Sequence, residues 1–118
     1  LLPYAKKLNS TLSLAQEVVH FLTDFAKKGD YERFLSDATV FMEFFGNIVV
    51  GWLWLDISVK AQKALVLIDA KYSSGFYESK IHAMNFYFKY EIPKTKALAE
   101  VLMDEQVLTT SVEKQLFT

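Results

Sequence analysis

The chain contains no cysteine, which excludes disulfides, thiolate nucleophiles and cysteine-bound zinc from the outset. That absence fits the cytosol, the expected location. Glycine and proline number four and two among 118 residues, too few for a turn-rich sandwich or a propeller. Arginine occurs once, at Arg33, and the formal charge sums to −1. There is therefore no basic stripe for nucleic acid and no charged run for another strongly charged partner. No Gly-rich phosphate loop, G-x-S-x-G elbow or H-E-x-x-H pair is present. The opening Leu1-Leu2-Pro3 lacks an initiator methionine and does not read as a signal peptide; either leading residues are missing or the chain is a piece of a longer protein, as expected from the resemblance given below.

What is present is apolar and aromatic. Hydrophobic residues make up 52% and aromatics 15%, enough for one real core in a single domain over residues 1–118, and disorder is excluded. Period 3.6 dominates, so the expected fold is all-α: an up-down bundle of three main helices plus a short fourth. The first helix is expected over about Leu12–Lys28. Leu12, Ala15, Val19, Leu22 and Ala26 form its stripe, and Leu14, Val18, Phe21 and Phe25 widen it. Gly29 reads as the residue just past its end, and Asp30 as the next cap.

A very long second helix is expected over about Tyr31–Asp69, with two apolar stripes. Phe34, Ala38, Phe41, Met42, Phe45, Val49, Trp52 and Val59 share one face, read as core, with Phe45 and Trp52 among its buried aromatics. Trp54, Ile57, Ala61, Ala64, Leu65 and Ile68 share another, displaced by roughly 140°. The first half is expected to pack on the first helix, the second half on the third helix or on a surface outside the domain. The stripes overlap in Phe44–Leu55, apolar all round except Asn47, where Gly46 and Gly51 predict a kink or a close backbone approach. Lys71–Gly75 reads as a loop with a Ser or Gly cap, and short connections make the neighbouring helices antiparallel. A third helix follows over about Phe76–Tyr90, its apolar face too wide for one partner, so part of it is expected to lack cover inside the domain. Pro93 restarts the chain into a last helix, Lys94–Met103, and Ser111–Leu116 reads as a short helical turn.

The chemistry-bearing residues assemble no recognisable site. Glu17 and His20 have Glu-x-x-His spacing, as in di-iron bundles, but Glu78 and His82 are spaced four apart, and His82 lies on a polar strip. Phe44–Leu55 is 12 residues long, against the roughly 20 that span a bilayer, so a buried midsection is preferred over a membrane contact. Asp56 and Lys80 fall within apolar faces and read as an ion pair, or as a snorkelling Lys80. Accordingly no catalytic, cofactor-binding or metal residue is assigned.

Three stretches together resemble one family. Asp37-Ala38-x3-Met42-x2-Phe45-Gly46 leads to Gly51-Trp52-Leu53 and then to the alanine-bearing Ala61–Leu65 segment. Later come Phe76-Tyr77-x-x-Lys80, Phe86-Tyr87-Phe88-x4-Pro93 and Ala97-Leu98-Ala99. From about Ser10 to Met103 this order resembles the extra helical domain that follows the core of a branch of the acyl-CoA dehydrogenases. The resemblance implies a parent flavoenzyme that removes an α-proton and a β-hydride from an acyl-CoA thioester, with a carboxylate as base and FAD as hydride acceptor. Its catalytic and flavin-contacting residues lie upstream, and none is carried over. This chain would then be a non-catalytic C-terminal domain that packs on the dehydrogenase core or builds a homo-oligomer. The alternative is an independent helical module with a groove for a partner helix or a lipid-like ligand.

Overall fold

The computed structural model describes residues 1–104, which form five helices and no strand. They are α1 (Leu2–Lys27), α2 (Tyr31–Ser36), α3 (Ala38–Leu65), α4 (Ser74–Tyr90) and α5 (Lys94–Leu102). The expected turn at Ser111–Leu116 lies outside the described residues.

α1 begins ten residues before the expected start. Pro3 occupies its first turn, where a missing N–H costs nothing. The hydroxyls of Ser10 and Thr11 donate to the carbonyls of Lys6 and Lys7 at 3.2 and 3.0 Å, so these polar residues are satisfied inside the helix. The buried seam is Leu8, Thr11, Ala15, Val18 and Leu22. Ala15, Val18 and Leu22 are among the residues expected there, whereas Leu12 and Val19 are partly exposed and Leu8 and Thr11 extend the seam towards the N-terminus. The helix ends at the expected glycine. Gly29 takes φ +83°, its N–H donates to Ala26 and that of Asp30 to Phe25, the paired bonds of a Schellman stop.

The expected single long helix is two helices. The chain turns at Asp37, and α3 then runs as one helix through both Gly46 and Gly51. Its buried seam is Phe44, Ile48, Gly51, Ser58 and Ala61, with half-buried Leu55 between, in steps of four and three as in a helix packed along another. Ser73 caps α4, its hydroxyl accepting from the Phe76 N–H at 3.3 Å. A tight turn at Glu91–Pro93 then leads into α5, with the buried Thr95 hydroxyl closing onto the Ile92 carbonyl at 2.6 Å.

α3 is the spine of the molecule. α4 folds back along it, α5 and α1 also pack on it, and α1 meets α2 and α5. The described residues thus hold three long helices, α1, α3 and α4, and two short ones, α2 and α5, where one short helix was expected. Phe44, Ile48, Val18, Met84, Phe88 and Leu102 form the heart of the core. The molecule extends 70 × 30 × 20 Å with a radius of gyration of 19.4 Å. A compact domain of this length has about 13.5 Å.

The largest correction concerns the first stripe of α3. Met42, Phe45 and Trp52 are 67%, 46% and 54% exposed, whereas Phe44 is fully buried. Apolar spacing on both sides of one helix does not say which side faces inward, and the packing of α4 and α5 selects the other. Of the second stripe, Trp54 packs against the core and Ala61 is buried, but Ile57 is exposed and Ile68, beyond the end of α3 at Leu65, is fully exposed.

Candidate functional site on the outer face of α3

Met42, Phe45, Val49, Val50, Trp52, Leu53 and Ile57 are all exposed on α3. Their spacing places them on one face, opposite the seam that holds the core. Contiguous apolar surface of this kind is unusual on a monomer and marks an interaction site. Gly46 lies within the strip, and a Cβ built there meets nothing within 4 Å. Gly51, five residues on, is the opposite case: a Cβ there would stand 2.6 Å from the Ile92 side chain and 3.4 Å from the Tyr87 ring. The close approach expected of these glycines is therefore real at Gly51, where α3 meets the end of α4, and absent at Gly46.

Beside the strip, α1, α2, α3 and α5 border a half-open apolar groove of about 290 Å³, lined by Val19, Leu22, Phe34, Leu35, Phe41 and Leu102 among others. Its polar lining is limited to Thr23 and Asp37. A hydroxyl and an acidic group offer no cationic cradle for a pyrophosphate, so these residues do not fit a flavin dinucleotide.

Tyr87 is a residue that the sequence reading missed as a polar anchor. Its hydroxyl donates to the Asn47 carbonyl at 2.8 Å, tying α4 to α3 across the apolar interface. Burial holds its phenol above the ordinary value of 10.0, with the Glu91 carboxylate acting in the same direction. The available signal was a tyrosine inside an apolar arc, a residue whose hydroxyl needs a partner when buried.

The other titratable groups serve the surface. Glu17 and His20 are exposed on α1, and Glu78 and His82 on α4. Among the described residues no three potential metal ligands come together. Asp56 pairs with Lys60 at 3.0 Å, and the Lys80 ammonium lies 4.8 Å from the centre of the Phe76 ring. Lys28 hydrogen-bonds Asp24 at 2.9 Å and holds its carboxyl below the usual range.

α3, with Asp37 at its cap, therefore carries the resemblance segments up to Leu65, and α4, the Pro93 turn and α5 carry the rest. No curated protein and no solved structure matches the chain. A protein-family model described as acetyl-CoA dehydrogenase C-terminal like does match, over residues 1–112, beyond both ends of the resembling stretch. With nearly its whole length covered, the chain belongs to the acetyl-CoA dehydrogenase C-terminal-like family.

Proposed function

We propose that this chain is the non-catalytic C-terminal helical domain of an acyl-CoA dehydrogenase and works by association. The parent would carry out FAD-dependent α,β-dehydrogenation of an acyl-CoA thioester in the cytoplasm, with base and flavin supplied by a preceding core. The observation that carries this reading is the exposed apolar face of α3, a surface suited to being covered rather than to chemistry. Its role is to pack on that core or to join copies of the enzyme.

The test is the isolated chain incubated with FAD and then with acyl-CoA and an artificial electron acceptor. The expected result is a colourless protein without turnover. Retained flavin absorbance, or reduction of the acceptor, overturns the reading. The 290 Å³ apolar groove favours a second reading, an independent module for a lipid-like ligand. Saturable displacement of a fluorescent fatty acid by unlabelled fatty acid, lost in Phe34→Asp, would select it.

A further inference from the structure

We propose that the loop joining α3 to α4 is a membrane-contacting tip, whose aliphatic apex enters the interface of an anionic lipid bilayer. This goes beyond the association reading, because it concerns a different part of the molecule from the outer face of α3.

The loop opens with three consecutive aliphatic residues. Val66 and Leu67 are 80% and 58% exposed, and Ile68 is fully exposed. They stand at the end of an arm. The core cluster reaches Leu55 on α3 and Ile81 on α4, and α3 runs on to Leu65, about 15 Å further. Single exposed aliphatics are ordinary on a protein surface, but three together at an apex mark a contact. The apex is convex. A protein partner covers it only with a matching socket, whereas the fluid interface of a bilayer closes around whatever enters it.

The groups behind the apex are those that suit headgroup depth. Tyr72 and Phe76 are both exposed, with ring centres 4.4 Å apart, and aromatic side chains favour the membrane–water boundary. The Lys71 ammonium lies 5.3 Å from the centre of the Tyr72 ring, and that of Lys80 lies 4.8 Å from the Phe76 ring, so two cations flank the pair. Lys63 is exposed in the last turn of α3. These three lysines face two carboxylates in the same stretch, Asp69 and Glu78, while Lys60 is paired with Asp56. The tip is therefore cationic in a chain whose charges sum to −1. Lysine stems of this length lie along apolar surface while their heads reach lipid phosphates. Asp69 follows Ile68 directly and keeps the insertion shallow, with only Val66–Ile68 below the headgroups.

The experiment is co-sedimentation of the 118-residue chain with vesicles of phosphatidylcholine and phosphatidylserine, and with vesicles of phosphatidylcholine alone. Binding is expected to the mixed vesicles, about tenfold weaker to phosphatidylcholine, and falling as salt is added. Lys63→Gln and Lys71→Gln should each weaken it by about fivefold. The double variant Leu67→Asp, Ile68→Asp should lose binding with helicity and melting temperature unchanged, since both side chains are exposed. Because the sequence has no cysteine, Ile68→Cys carries one environment-sensitive dye per chain. Its emission should rise on the mixed vesicles and be quenched by a lipid with a nitroxide near the headgroup. Failure to sediment with the mixed vesicles, binding that survives the double variant, or equal binding to phosphatidylcholine alone overturns the inference. So does a dye that the dehydrogenase core shields and the vesicles do not, a result that leaves the association reading standing.

Discussion

Phe44 and Phe45 are adjacent and chemically identical, yet the fold assigns them opposite fates. Phe44 is fully buried between α3 and the rest of the core, and Phe45 is 46% exposed on the outer face. Truncating Phe44 to alanine removes a complete set of contacts and leaves a cavity, at a cost of about 3–5 kcal/mol. Phe45→Ala loses only part of a phenylalanine's transfer energy, about 1 kcal/mol, and leaves no enclosed void because its site is open to water. Its stacking on Phe41, with centroids 6.0 Å apart, lies within that figure. At about 4 °C per kcal/mol for a chain of this size, the melting temperatures should fall by about 12–20 °C and about 4 °C. The measurement is thermal unfolding followed by circular dichroism, at concentrations low enough to keep the chain monomeric, since association would protect Phe45 by mass action. If Phe44→Ala does not fold, Phe44→Leu takes its place at about 1–2 kcal/mol. Equal midpoints for the two positions, or a larger loss at Phe45, would refute the assignment of the inner and outer faces.

Two further outcomes follow from the α3–α4 contact. Gly51→Val should destabilise the monomer by about 1–3 kcal/mol, because its side chain must displace buried Ile92, whose terminal methyl lies 2.6 Å from the Cβ position; an unchanged urea midpoint would contradict the close approach. Tyr87 holds its proton more tightly folded than unfolded, so its contribution is complete below pH 10.0 and is lost as pH rises above that value. Tyr87→Phe should therefore be less stable than wild type at neutral pH by about 1 kcal/mol for the lost bond to Asn47. The difference should narrow in alkaline solution, which a series of urea midpoints across that range checks.

Local signals in the sequence determined most of the elements of this protein. Gly29 stops α1 because only a residue without a Cβ enters the left-handed region freely, and Ser73 starts α4 because its oxygen meets a free N–H. Helical period and the scarcity of glycine and proline made the fold all-α, and the order of motifs carried the family resemblance before any coordinate was known. The start of α1 was hidden because Ser10 and Thr11 resemble a loop until their hydroxyls are seen bonding back to the preceding turn. The turn at Asp37 was hidden because the apolar periodicity continues across it.

Only the tertiary structure decided which apolar face of α3 is core and which is surface. Both faces repeat with the helical period, and period carries no information about direction. The choice is made by groups distant in sequence: Ile92 against Gly51, Tyr87 on the Asn47 carbonyl, and Met84 and Phe88 joining Phe44 in the core. For the same reason the candidate site was legible as a stripe and illegible as a site. Phe45, Val49 and Trp52 were recognised as one face, but that it faces outward follows from α4 and α5 having packed against the other side.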